Sequence, residues 1–168
     1  CNLSTLTIHH MNAAGYDVST LGNHAFDYGQ EALIHNMESA DFPFICANLY
    51  YEKTGDTISK GINESNGSNY IKEINGHKIG FFGLTTPETK TKMNPSNLEG
   101  VNVKDIIDSA KEQVEYLKTQ SVDIIIALTH LGINESVEDN SIKLAEEVPE
   151  IDIILDGHSH TEVSKIYD

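Results

Sequence analysis

The fold is decided by the run VDIIIAL at residues 122–128, a nearly unbroken apolar stretch of the length typical of a buried strand. A second such run, IDIIL, follows at residues 151–155, and residues 141–148 between the two favour a helix. This strand, helix, strand unit predicts an α/β domain in which β-sheets are layered against helices. Polar loops should gather where the strands end.

The same alternation continues upstream. Helices are predicted over residues 3–14, 30–39 and 103–119, with Gly15 placed to end the first in the left-handed conformation. Strands are predicted over residues 17–21, 43–49, 70–74 and 78–84. Asn75-Gly76 lies between the last two and indicates a hairpin with a type I′ turn. We expect a surface excursion over residues 54–69 and an irregular connection over residues 85–98.

The composition and net charge limit the kinds of partner and substrate that the protein can bind. At 168 residues the chain suits one domain, and its 26 acidic residues against 11 lysines give a net charge of −15. Nucleic acid is excluded as a partner, because its recognition needs clustered basic residues. A small phosphorylated substrate would need a compact local positive charge, which bound metal ions would supply. No apolar stretch is long enough to span a membrane. The two cysteines form no disulfide framework, and Cys46 is expected to be buried.

Six polar residues follow predicted strands and are expected to meet at one edge of the sheet. A lone histidine at a strand end is ordinarily a satisfied loop residue, and for His130 alone we would favour that interpretation. Taken together, the six polar residues form a set of nitrogen and oxygen ligands that suits Mn, Zn, Fe or Co better than Ca or Mg. The remaining four histidines lie on predicted helices or beside a turn and are given no function. The six residues are Asn23, His24, Asp27, His130, His158 and His160.

At this point the chain resembles the calcineurin-like metallophosphoesterases. Three motifs of that family occur in order: Gly22-Asn23-His24, then His130, then Gly157-His158-Ser159-His160. A finer resemblance, to the bacterial 5′-nucleotidase and UDP-sugar hydrolase branch, rests on residues 22–29, 47–49, 83–89 and 129–132 and covers nearly the whole chain.

The resemblance implies a layered metallophosphoesterase fold and two divalent metal ions. By matching position, Asn23, His130 and His158 would bind one ion and His160 the other, while His24 would be catalytic and poised by Asp27. The substrate would be a nucleotide or nucleotide sugar, most often a 5′-mononucleotide. A 2′,3′-cyclic-nucleotide phosphodiesterase with 3′-nucleotidase activity is the nearest rival. Relatives of this branch are usually exported, which implies an extracellular, cell-wall or periplasmic location.

The chain also departs from the family pattern. The motifs Asp-x-His and Gly-Asp, which should precede Asn23, are absent, and Ala25 replaces the usual acidic residue. We therefore expect residues 1–168 to be a partial N-terminal catalytic domain without its first strand or the C-terminal nucleotide-specificity domain. Alone it should be inactive and unable to hold a metal pair tightly. The other hypothesis is a metal-poor binding protein that has lost catalysis.

Overall fold

The computed structural model of the protein describes residues 3–62, 66–133 and 138–162. These ranges contain five α-helices: α1 (Leu3–Ala14), α2 (Gln30–Glu38), α3 (Thr89–Lys92), α4 (Ile106–Thr119) and α5 (Ser141–Glu147). Six strands lie between and after them: β1 (Leu49–Tyr51), β2 (Asn69–Ile74), β3 (His77–Thr85), β4 (Val101–Val103), β5 (Ile124–His130) and β6 (Ile153–Asp156). Two short 3-10 helices cover Asn23–Phe26 and Pro95–Leu98.

The main sheet has the order β2-β3-β5-β6. β2 and β3 form the predicted antiparallel hairpin, and its turn residues Asn75 and Gly76 have φ of 53° and 83°, the positive values that a type I′ turn requires. β5 runs parallel to both β3 and β6, with Thr85 beside His130 and Thr129 beside Asp156. The carboxyl ends of β3, β5 and β6 therefore meet at one edge. The sequence predicted this for β5 and β6, whereas the third predicted strand, residues 17–21, is not part of this sheet.

One hydrophobic core lies between this sheet, α4 and α5. α4 begins after Asp105, whose side chain accepts hydrogen bonds from the backbone N–H groups of Ile107 and Asp108. The predicted start of this helix, residue 103, was wrong. Residues 101–103 instead pair antiparallel with β1 in a separate two-stranded sheet.

A second core lies beneath α1 and α2 and includes Phe26, which is completely buried. Here the predicted strands 17–21 and 43–49 are reduced to a single parallel bridge between Ser19 and Phe44. Successive N–H groups in this stretch bond to different segments: Ile45 to Ser19, and Ala47 to Gly83. A regular ladder needs one continuous partner, so neither strand extends.

The two predicted irregular stretches are more ordered than expected. Ile58 and Ser59 are buried, so the excursion over residues 54–69 packs against the body of the protein in its described part. Residues 85–98 contain α3 and the second 3-10 helix. None of the helices in the described ranges is long and apolar enough to cross a membrane.

Candidate functional site

Asn23 and His130 meet at the carboxyl edge of the main sheet. Asn23 opens the first 3-10 helix and is 3% exposed, and its Oδ1 lies 3.0 Å from Nε2 of His130 at the end of β5. Gly22 makes this approach possible, because a Cβ at this position would lie 2.9 Å from the His130 ring. The glycine before Asn23 is therefore required by packing against the imidazole.

His158 completes a group of three side chains. Its ring centroid lies 4.9 Å from that of His130. Burial lowers the pKa of His130, and positive charge on His158 lowers it further. Charges on His24 and His160 act in the same direction more weakly. His130 is therefore favoured as the neutral imidazole that metals bind.

The loop after β6 has an unusual backbone. His158 and His160 have φ of 88° and 53°, values that few residues other than glycine adopt. The carboxylate of Asp156 accepts hydrogen bonds from Thr129 Oγ1 at 2.7 Å and from the backbone N–H of Leu131 at 2.9 Å, and so ties this loop to the end of β5. Strain of this kind clusters at functional sites, where surrounding contacts hold it in place. His160 itself is exposed.

His24 and Asp27 form the predicted pair. Nδ1 of His24 lies 3.0 Å from Oδ2 of Asp27, and the His24 side chain is 78% exposed. A distant residue holds the backbone that carries this pair. The side-chain amide of Asn97 donates hydrogen bonds to the backbone carbonyls of Phe26 at 2.8 Å and Asp27 at 3.2 Å. The imidazole is thus oriented by its carboxylate and open to a ligand in solvent.

The donor atoms at the edge fit one metal ion of the predicted class. Asn23 Oδ1 and His130 Nε2, which lie 3.0 Å apart, are an amide oxygen and an imidazole nitrogen, the donor types that such an ion binds. Across the described ranges, no three side chains of His, Cys, Asp or Glu are placed as a ready metal cluster. Nε2 of His158 lies 2.7 Å from a carboxylate oxygen of Glu88, which leaves the other ring nitrogen of His158 without this partner.

Three further residues at this site were not among the site residues predicted from the sequence. Glu88 accepts from Lys92 as well as from His158, and these two contacts, in that order, hold the pKa of its carboxyl below the usual value. Asn48 is completely buried and bonds to both backbone groups of Thr85. Asn97 is the third. Only the stretches 47–49 and 83–89, which supported the family resemblance, marked the neighbourhood of the first two.

Ala25 occupies the position where the resemblance expects an acidic residue. Its side chain is half-buried and packs against the core beneath α1 and α2, away from the contacts that Asn23, His24 and Asp27 make. The absence of a carboxylate here therefore leaves those contacts intact.

Comparison with known families gives a match over nearly the whole chain. A family model described as "Bacterial capsule synthesis protein PGA_cap" matches residues 1–164. The chain belongs to this family.

Curated relatives of this PGA_cap chain are nucleotide phosphoesterases by name. It is 36% identical over 161 residues to the trifunctional nucleotide phosphoesterase protein YfkN of Bacillus subtilis, covering 89% of the chain and 11% of that protein. It is 35% identical over 161 residues to the 5′-nucleotidase of Vibrio cholerae, covering 91% and 28%. It is 30% identical over 162 residues to the 2′,3′-cyclic-nucleotide 2′-phosphodiesterase/3′-nucleotidase of Yersinia enterocolitica, covering 89% and 24%. The chain thus spans about a tenth to a quarter of these relatives.

The comparison with solved structures gives calcineurin-like phosphoesterases. The crystal structure of the calcineurin-like phosphoesterase YfkN from Bacillus subtilis superposes on the PGA_cap chain with a TM-score of 0.77 at 36% identity, covering 92% of the chain and 48% of that structure. The predicted resemblance to calcineurin-like phosphoesterases of the 5′-nucleotidase branch is confirmed, and so is the α/β layered fold.

Proposed function

We propose that this chain forms part of the N-terminal catalytic domain of a nucleotide phosphoesterase that works with two divalent metal ions. The observation that carries the proposal is the approach of Asn23 Oδ1, His130 and His158 at the carboxyl edge of parallel strands, with His24 and Asp27 beside them. Ligands in α/β sheets bind at this edge. The names of the curated relatives support the substrate class.

Asn23, His130 and His158 would hold one ion, and His160 would belong to the other. Mn, Zn, Fe or Co suits this nitrogen and oxygen set. When bound, such ions polarise phosphoryl oxygens and acidify a coordinated water. The lowered pKa of His130 favours the neutral ring that can bind a cation.

His24 would serve the leaving group. The Asp27 carboxylate accepts the Nδ1–H of the ring and so stabilises the protonated imidazole, whose Nε2–H can donate to the oxygen that departs from phosphorus. Exposure of the side chain lets it reach a substrate held above the strand ends. Asp27 is thus a positioning residue for a catalytic histidine.

Within this class we propose a 5′-nucleotidase activity, supported by the Thr85–Thr89 segment that resembles that branch. The relatives also include cyclic-nucleotide phosphodiesterases, and this activity is the second candidate. We propose further that recognition of the base, or of a nucleotide sugar, belongs to a C-terminal domain outside this sequence, since the relatives are several times longer. We also propose that the protein is located outside the cytoplasmic membrane, which cell fractionation would test.

The test is phosphate release from AMP, 3′-AMP and 2′,3′-cyclic AMP by the full-length protein, before and after chelation and with Mn²⁺ restored. We expect chelation to abolish activity and AMP to be preferred. His24→Ala should lower turnover by about 10² to 10⁴-fold without changing metal content, because it removes general acid catalysis and no ligand.

The matched control is His35→Ala, which removes an exposed histidine from α2 and should leave turnover unchanged. A preference for 2′,3′-cyclic AMP would favour the second candidate. Metal binding with no phosphate release from AMP or 3′-AMP and no opening of the cyclic phosphate ring of 2′,3′-cyclic AMP would contradict catalysis and favour the binding protein.

A further inference from the structure

Glu88 is joined directly to one of the candidate metal ligands, although 70 residues separate them. Its Oε2 lies 2.7 Å from Nε2 of His158, and both side chains are largely shielded, with exposed fractions of 26% for Glu88 and 15% for His158. An ionised carboxylate can only accept, so His158 donates from Nε2. A neutral ring that carries its proton on Nε2 has its lone pair on Nδ1.

The position of Glu88 is itself well fixed. It follows the end of β3, where Thr85 is 1% exposed and Thr86 is completely buried, and its carboxylate also accepts from Lys92 at 2.8 Å. Both the backbone N–H and the backbone carbonyl of Thr85 form hydrogen bonds with the side chain of Asn48. Glu88 is therefore part of a rigid support and not a mobile surface side chain.

We propose that Glu88 is a positioning residue that accepts the Nε2–H of His158 and so directs the Nδ1 lone pair of that ring toward a metal ion. The inference rests on the proposed metal-dependent function. A carboxylate that orients a coordinating histidine in this way fixes both the ring angle and the nitrogen available for coordination, and its loss typically weakens metal affinity 10- to 100-fold.

His158 needs this support more than an ordinary histidine would. Its φ of 88° is unfavourable for a residue with a Cβ, and it is followed two residues later by His160 at 53°. The contact with Glu88 opposes relaxation of this loop, because relaxation would move the imidazole away from the carboxylate. The positioning role thus explains how a strained backbone is kept in one conformation.

Two measurements on the full-length protein test the role. The first is NMR of the metal-free protein labelled with ¹⁵N-histidine, in which the hydrogen-bonded Nε2–H of His158 should give a resonance protected from exchange with water. The second is Co²⁺ titration followed by its visible absorption. Glu88→Ala should remove the resonance and weaken Co²⁺ binding at least 10-fold. Glu88→Gln, which keeps a neutral acceptor, should give intermediate values.

The matched control is Glu73→Ala, which removes an exposed carboxylate near the hairpin turn, at the opposite end of the sheet, and should change neither readout. Circular dichroism checks that each variant is folded. The inference is overturned if His158 carries its proton on Nδ1, or if folded Glu88→Ala binds Co²⁺ within twofold of wild type. Wild-type protein that binds no Co²⁺ would overturn the proposed function and this inference with it, an outcome distinct from equal binding by wild type and variant.

Discussion

Replacing Asn48 with alanine should destabilise the protein strongly. Asn48 is completely buried, and its side chain accepts from the Thr85 N–H at 2.9 Å and donates to the Thr85 carbonyl at 2.8 Å. Alanine leaves both backbone groups without these partners in a place that water does not reach. Each unsatisfied buried group costs about 1–3 kcal/mol, so we expect a loss of about 2–6 kcal/mol.

Asn12 offers a matched control. Its side chain also makes one donating and one accepting bond to the backbone, with the Ser39 carbonyl at 3.0 Å and the Asp41 N–H at 2.9 Å, but the site is partly exposed. Water can replace these bonds, so Asn12→Ala should cost only about 1 kcal/mol. Urea unfolding measures both values from the shift of the midpoint at constant slope. Equal losses in the two variants would refute the argument that burial makes the Asn48 bonds costly to remove.

Three further outcomes are expected. Burial raises the pKa of the Cys46 thiol to about 12, so in a Cys1→Ser variant iodoacetamide at pH 8 should modify it only after unfolding; rapid labelling of folded protein would contradict this. Gly83→Ala should cost about 3 kcal/mol in urea unfolding, since its Cβ would lie 2.0 Å from the carbonyl oxygen of Ile45, whereas Gly80→Ala meets a flexible leucine and should cost about 1 kcal/mol. Comparable losses would disprove the clash. Residues 1–168 alone should show no pair of tight Mn²⁺ or Zn²⁺ sites by calorimetry, because the ligands predicted here include no carboxylate to offset repulsion between two cations; two tight sites would refute that expectation.

The parts of the fold that local patterns determine were predictable. The Asn75-Gly76 turn, the apolar run of β5 and the helical spacing of α4 each contain their own signal. β1 and β4 were missed because each has three residues and exists only through pairing with a segment about 50 positions away. The strand predicted at 43–49 failed for the opposite reason, since a suitable local sequence meets several partners in turn.

The same distinction applies to the site. His24 and Asp27 are three residues apart, so their contact could be anticipated from one motif. Asn23 and His130 are 107 residues apart, and the sequence predicted that they meet, but only His130 ends a strand, since Asn23 opens a 3-10 helix after a single bridge at Ser19. The contact between Glu88 and His158 follows from neither rule. It depends on the path of residues 85–98, which has no periodic pattern in the sequence.

That path links the two halves of the site. At one end Glu88 binds His158, and at the other Asn97 donates to the backbone carbonyls of Phe26 and Asp27. One segment, anchored at Thr85 by a buried asparagine, thus touches both the candidate metal ligands and the turn that carries His24. If phosphoester cleavage needs these groups in a fixed relation, its geometry depends on residues 85–98 as much as on the histidines. Loss of the Asn97 amide should then misplace His24, which we propose serves the leaving group, without removing any of the candidate metal ligands.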